Sequence, residues 1–452
     1  MRTKSSLLLA LILWIGSAFL YPSALGQATN REKPKLKNFG SSVKKLKWDP
    51  TANSATEVDP NAKPSVTNDD DIVRIDTTLV AWDVLVVDKQ GRTVRGLSAN
   101  DFLITEDDKP QQVGHFLHGD NKSLPRSIVL IIDYSGSQFP YIKNSVESAK
   151  VLIDKLGPLD RLAIVTDDVE MLTDFTNDKK ELKKKLDMLV ERNKGKKGFL
   201  GFGGNSRQFG NSAQYSALMA TLKEAFDAED ERPIIVFQTD GDEAFYLRNS
   251  IVTPAVPPGL PPELVGIVQQ EVEQRLKMQR DGVTEFSLDD VYREVERSRA
   301  TIYTVIPGIK LIGYPPEQQT ERLKEDDERR IAEWLSTVSP RVKKAFIARE
   351  EERERRMTPE IWQMRTEESV KVQSALAAIA PLTGGWTEFL ESPSQAQAIY
   401  SRIFSDINER YIIGYYPTNK TRDGKRRKIR VEVRDHPDYT VLGRKSYYAP
   451  GR

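Results

Sequence analysis

The chain has 452 residues, with Lys+Arg 67 against Asp+Glu 66 and a formal net charge of +1. An apolar fraction of 38% and a charged fraction of 29% mark a soluble globular protein and not a disordered one, with room for two or three domains of roughly 100–200 residues each. The charge balance argues against a nucleic-acid-coating protein; the lack of cysteine excludes disulfides, thiolate metal sites, cysteine nucleophiles and a lipid-modified cysteine; and three histidines, His115, His118 and His436, leave little for zinc-hydrolase or Ser-His-Asp chemistry.

At the N-terminus, Arg2 and Lys4 precede an uncharged apolar run over 5–21, and Ala24-Leu25-Gly26 places small residues before Gln27. This pattern predicts a secretory signal over 1–26 and a mature protein that is periplasmic, cell-surface or secreted, without stable membrane insertion after cleavage. The run approaches spanning length, so an uncleaved anchor is the alternative; Pro22 and the small residues after it favour cleavage. An exported chain without cysteine suits a bacterial periplasm or surface. Residues 27–71 are polar and aperiodic and read as a flexible linker.

Residues 72–120 read as β. Thr78 to Val87 is rich in strand formers, Asp88-Lys89-Gln90-Gly91 makes a turn, and Asp101-Phe102-Leu103-Ile104-Thr105-Glu106 is a second short strand. Short strands at this spacing predict the first part of a small β-sandwich. Over 124–408 the rhythm changes. Ile128-Val129-Leu130-Ile131-Ile132 is an unbroken apolar run, as in a strand covered on both faces. Ile142, Val146, Ala149, Ile153 and Leu156 share one helical face; further strands follow at 162–165, near Met171, at 233–237 and at 301–306, with helices between. This alternation predicts a doubly wound, mostly parallel α/β sheet with helices on both faces.

Residues 309–368 interrupt the rhythm. The mixed-sign run Arg349-Glu350-Glu351-Glu352-Arg353-Glu354-Arg355-Arg356 reads as the solvated surface of a helical insertion. Residues 409–452 return to β, with Tyr411-Ile412-Ile413-Gly414-Tyr415-Tyr416, the turn Asp423-Gly424 and the alternating Ile429-Arg430-Val431-Glu432-Val433. Chain ends tend to lie together, so these strands are expected to join 72–120 in one discontinuous sandwich with the α/β domain inserted.

Directly after the first buried strand stands Asp133-Tyr134-Ser135-Gly136-Ser137. Ligands of open parallel sheets bind beyond the carboxyl ends of the strands, and alternate positions of an extended segment share a side, so Asp133, Ser135 and Ser137 can converge. Thr239-Asp240-Gly241-Asp242 follows a later buried strand, and Asp240 reaches the same crevice if the two strands are neighbours. Carboxylate and hydroxyl oxygens suit a hard divalent cation, Mg2+ foremost with Mn2+ or Ca2+ as alternatives; Mg2+ takes a near-octahedral oxygen shell at about 2.0–2.1 Å and keeps waters readily. Incompletely neutralised, such an ion stays electrophilic toward an acidic group of a partner. Other motifs are weaker. Gly198, Gly201, Gly203 and Gly204 lack the Gly-Lys-Ser/Thr of a phosphate loop, His115-x-x-His118 reads as a strand end, the Lys179 to Lys185 run as a solvated helix face, and Asp242 and Glu243 as caps of whatever follows them.

Asp133-x-Ser135-x-Ser137 together with Thr239-Asp240-Gly241 resembles the metal-ion-dependent adhesion site of von Willebrand factor A-type domains. In that family a Thr in a loop before a helix adds a ligand, the aspartates bind directly or through water, and a partner carboxylate completes the shell. Gly210-Asn211-Ser212-Ala213-Gln214-Tyr215-Ser216-Ala217 is similar to that loop, with Ser212 at the Thr position, keeping the oxygen and losing the methyl that restricts its rotamer. Val94-x-Gly96-Leu97, Asp101-Phe102, Tyr411-x-x-Gly414-Tyr415-Tyr416-Pro417 and Tyr447-Tyr448-Ala449-Pro450 resemble the flanks of an exported bacterial subfamily, the VWA-related proteins best known from Acidobacteria. The resemblance implies a non-enzymatic module that holds a divalent ion with Asp133, Ser135, Ser137, Ser212 and Asp240 and captures an acidic group of a protein partner, the loop at 199–209 setting specificity. A metal-dependent hydrolase with Asp242 or Glu243 as base, and a metal-free scaffold, are the alternatives.

Overall fold

The computed structural model describes residues 46–49, 54–57, 79–118, 125–138, 141–194, 212–226, 232–338 and 340–451. The expected signal over 1–26 and the loop at 199–209 lie outside these residues. No helix among the described residues is long and apolar enough to cross a membrane.

In chain order, β1 (Leu46–Asp49) and β2 (Ser54–Glu57) pair antiparallel within the segment read as a linker, whose polar composition gave no sign of pairing. Then come β3 (Val80–Val87), β4 (Phe102–Glu106), β5 (Lys109–Gln111) and β6 (Val113–His118). The α/β part opens with β7 (Arg126–Ile132), α1 (Ile142–Asp154), β8 (Arg161–Thr166), β9 (Met171–Thr176), α2 (Lys179–Lys194) and α3 (Gln214–Glu224). It continues with β10 (Arg232–Gln238), α4 (Pro262–Gly282), α5 (Leu288–Arg297) and β11 (Thr301–Pro307). A helical excursion, α6 (Pro316–Thr337), α7 (Pro340–Ile347), α8 (Glu350–Arg356) and α9 (Pro359–Ala377), leads to α10 (Ile379–Leu382), β12 (Thr387–Leu390) and α11 (Ala396–Glu409). The chain closes with β13 (Tyr411–Tyr415), β14 (Arg426–Val433), β15 (Thr440–Leu442) and β16 (Ser446–Tyr448).

The central sheet has the order β12-β11-β10-β7-β8-β9, parallel except for β9, which runs antiparallel at one edge. Because strand side chains alternate, β7 serves two cores at once. Val129 and Ile131 face a cluster that includes Tyr215, Val291 and Leu376 from α3, α5 and α9. Ile128, Leu130 and Ile132 face the opposite cluster, with Val146, Leu186 and Ile403 from α1, α2 and α11. That two-sided burial is why the run at 128–132 has no polar position. From β7 the chain winds to β8 on one side, and from β10 to β11 on the other, so the winding reverses between β7 and β10, and a crevice opens beyond their carboxyl ends.

Two antiparallel sheets, β15-β3-β13-β6 and β16-β14-β4-β5, form a separate layer pair. Strand β13 lies between β3 and β6, with Tyr411 opposite both Val84 and His118, so strands from before and after the α/β part share one sheet. Their core holds Trp82, Val84, Phe102, Ile104, Tyr411 and Ile413. Buried Glu106 accepts hydrogen bonds from Tyr415 Oη at 2.6 Å and Tyr447 Oη at 2.8 Å, which satisfies a carboxylate that would otherwise be costly in that core.

The charged segment differs from a purely solvated helical surface. Asp326, Asp327, Arg365 and Glu368 are buried, and Arg353 and Arg365 meet Asp327 at 2.9 and 3.4 Å while Arg275 of α4 meets Glu368 at 3.0 Å. A small apolar cluster of Leu260, Val268, Val272 and Ile361 accompanies these pairs. Charge density alone does not separate a solvated face from a set of charges that neutralise one another between packed helices.

Candidate metal centre

Strand β7 ends at Ile132, and Asp133 comes next; its N–H donates to the carbonyl of Gln238 at 3.0 Å, so the chain leaves the sheet beside the end of β10. Thr239 and Asp240 leave β10 in the same crevice. Gly241 then adopts φ +76, and a Cβ there would meet Leu376 Cδ1 at 2.5 Å. Only a residue without a side chain permits this turn, and it lets Asp240 and Asp242 point to one side.

One carboxylate oxygen each from Asp133, Asp240 and Asp242 lies within 4.8 Å of the others. Around them are the hydroxyls. Ser135 Oγ is 3.0 Å from Ser137 Oγ, and the hydroxyls of Ser137 and Ser212 donate to Asp242 Oδ2 at 3.3 and 3.4 Å. Thr239 Oγ1 donates to Asp133 Oδ2 at 2.8 Å. Ser212 is held at φ +53, a strained backbone for a non-glycine residue, by its N–H bond to Asp167 Oδ2 at 2.9 Å. Asp167 also accepts from the N–H of Tyr134 at 3.1 Å, so one buried carboxylate ties the 133–137 loop to the start of α3. The structure thus brings Asp133, Ser135, Ser137, Ser212 and Asp240 to one place.

Asp242 and Glu243 depart from the expectation that they cap the following element. Asp242 enters the cluster, where Gln214 Nε2 bridges it to Asp133, at 2.5 and 2.9 Å. Glu243 caps a different helix, accepting from the N–H of Ser216 at 2.9 Å and its hydroxyl at 2.5 Å in the first turn of α3. The Asp-Gly-Asp spacing carried the signal for Asp242, but only the left-handed turn at Gly241 decides which way that side chain points. Gln214, Thr239 and Asp167 were also missed as site residues; their roles depend on contacts across three loops. His118 lies edge-on to Tyr411 with ring centroids 4.8 Å apart in the sandwich, away from this cluster.

Burial, then the charge of Asp240, pushes the Asp133 carboxyl up to about 7. Burial, then Asp240 and Asp133, holds Asp242 well above the usual carboxylate range. Among the described residues no ion pair reaches these three carboxylates; their neighbours are hydroxyls, backbone N–H groups and the amides of Gln138 and Gln214. An all-oxygen set whose charges repel one another fits a hard divalent cation. The pH consequence has a definite sign. A carboxyl whose folded pKa exceeds its unfolded value keeps its proton longer in the folded state, so the metal-free protein loses stability as pH rises from the unfolded value of 3.8 through about 7. Ion binding needs the ionised groups. The expected result is that the rise in melting temperature produced by Mg2+ grows as pH increases through about 7, and a pH-independent rise would show that these carboxyls are not linked to the ion.

The fold is the doubly wound α/β sheet implied by the von Willebrand factor A-type resemblance, with the cluster at its switch point. Solved structures similar to the chain are von Willebrand factor A-type domains and their like. One is a von Willebrand factor type A protein from Catenulispora acidiphila, 10% identical over 83% of this chain and 74% of that one, with a TM-score of 0.29. The vWF domain of a type V pili tip protein from Porphyromonas gingivalis is 14% identical over 63% of this chain and 95% of its own, with a TM-score of 0.31. A conserved hypothetical protein, BatB, from Bacteroides thetaiotaomicron is 13% identical over 63% and 98%, with a TM-score of 0.27. No family model matches the sequence, and no curated protein matches it. The geometry of the cluster, and not these distant likenesses, carries the functional reading.

Proposed function

We propose that the chain is an exported, metal-ion-dependent protein-binding module, not an enzyme. Asp133, Ser135, Ser137, Ser212 and Asp240, joined by Asp242, hold one divalent cation, Mg2+ by preference, and an acidic group of a protein partner takes an open position on the ion. The observation that carries this reading is the gathering of three carboxylates within 4.8 Å at the switch point of the sheet, with serine hydroxyls from two loops against them. A bound ion supplies an electrophilic position for an anionic oxygen; the protein supplies the fixed oxygens and the shape of the crevice. Of the two candidate bases for a hydrolytic role, Asp242 lies within the carboxylate cluster and Glu243 is engaged by the N–H and hydroxyl of Ser216, which favours capture over activation of water. The signal segment supports delivery outside the cytoplasm.

The test is calorimetric titration of Mg2+ and Mn2+ into the metal-stripped mature protein. Saturable binding near one equivalent is the expected outcome. An isotherm without a saturable component for either ion would leave the metal-free scaffold as the better description.

A further inference from the structure

Beside the carboxylate cluster lies a cavity of about 140 Å³, lined by Ser137, Gln138, Asp240 and Asp242 on the sheet side and by Arg330 and Arg365 on the α6 and α9 side. The helical excursion therefore walls the site instead of standing apart from it. Arg330 Nη2 donates to the carbonyl of Ser137 at 2.9 Å, and its guanidinium lies 5.7 Å from the centre of the Tyr141 ring. The anions on the same wall have partners: Asp326 accepts from Tyr141 Oη at 3.2 Å and pairs with Arg329, and Glu368 pairs with Arg275 at 3.0 Å. Gln138 is buried, donates to Asp240 Oδ2 at 2.5 Å, and has a buried Oε1 without a hydrogen-bond partner.

Charge counting gives this wall a task. The two aspartates expected from the sequence would leave a divalent ion neutral, whereas three carboxylates leave the centre with one negative charge in excess. A carboxylate approaching such a centre is repelled unless a second cation meets it. Accepting the metal reading above, we infer that Arg330 is that second anchor. The ion and the Arg330 guanidinium clamp a single carboxylate that enters the cavity between α6 and the loop at 133–138. Size narrows the ligand further. A cavity of about 140 Å³ has room for one carboxylate on a short aliphatic stem. Such a group comes either from the acidic side chain of an extended partner segment or from a free short-chain carboxylate.

The experiment uses the full mature protein loaded with Mg2+, and its Arg330→Met and Arg330→Lys variants. Each is titrated with butyrate and with a glutamate blocked at both ends, and Mn2+ affinity is measured in parallel. The wild type is expected to bind at least one probe, Arg330→Met to lose about tenfold or more in that affinity, and Arg330→Lys to recover part of it. Mn2+ affinity is expected to stay within about threefold, because Arg330 carries charge to the incoming group and not oxygen to the ion. Binding of the blocked glutamate alone identifies a partner side chain as the source, and binding of butyrate alone a free carboxylate. Equal probe affinity in wild type and Arg330→Met, or a wild type that takes up the ion and neither probe, overturns the inference and leaves the metal reading standing. A wild type that takes up no ion overturns both.

Discussion

Replacement of Asp133 by Asn is expected to abolish ion binding and to leave a metal-free protein at least as stable as the wild type at about pH 8. Asp133 is 2% exposed, and in the absence of a cation its ionised form is opposed by burial and by Asp240. Asn keeps one oxygen for the Ser135 N–H that Asp133 Oδ1 accepts at 2.9 Å, and turns its amide toward the Thr239 hydroxyl, which can accept, so the fold keeps that backbone bond while the centre loses a ligand of full charge. With ion at about one hundred times its dissociation constant, binding stabilises the wild type by about 2.7 kcal/mol, and this increment is expected to vanish in Asp133→Asn. Urea unfolding with and without Mg2+ separates the two effects. A variant that keeps the ion-dependent increment would remove Asp133 from the ligand set, and one much less stable than metal-free wild type would mean that the carboxylate serves the fold first.

The second large effect is expected at Arg410, far from the metal centre. Both Arg410 and Asp406 are almost fully buried, with side chains 1% and 4% exposed, at the end of α11 where the chain passes into β13. Arg410 Nε donates to Asp406 Oδ1 and to Tyr303 Oη, each at 3.1 Å, and Nη2 donates to the carbonyl of Gly384 at 2.6 Å. Trp386 Nε1 also donates to Asp406 Oδ2, at 2.7 Å. The network ties the last helix to β11 and to the approach to β12, at the point where the α/β part hands over to the sandwich. Arg410→Met strands a buried carboxylate, and the expected cost is about 3–5 kcal/mol. The double variant Arg410→Met/Asp406→Leu removes the stranded charge and is expected to recover most of that loss. A single variant within about 1 kcal/mol of wild type would show that water reaches Asp406 and that the pair does not hold the junction.

Much of this organisation was legible in the sequence. The unbroken run at 128–132 identified a two-sided strand because burial on both faces leaves no polar position, and the 3.6-residue spacing of Ile142, Val146, Ala149 and Ile153 identified the helix that covers it. Strand 429–433 alternated because one of its faces meets solvent. The excursion at 309–368 was legible as helix and not as a wall. Its Arg and Glu residues read alike whether they face water or each other, and the pairing of Arg365 with Asp327 exists only once α6 and α9 pack together.

The sequence by itself determined the chemistry of the centre. The residue types at 133, 135, 137 and 240 offer oxygen and nothing softer, and the absence of cysteine and scarcity of histidine admit only a hard ion. The tertiary structure decided which carboxylates, amides and cations gather there. Asp242 joins because Gly241 turns with φ +76 against Leu376, Gln214 because α3 starts opposite β7, and Arg330 reaches Ser137 because a helix some 190 residues further along the chain packs over it (a separation of 193). Local pattern fixes which way a side chain faces within its own strand or helix; which loops meet at a switch point depends on the winding of the whole sheet.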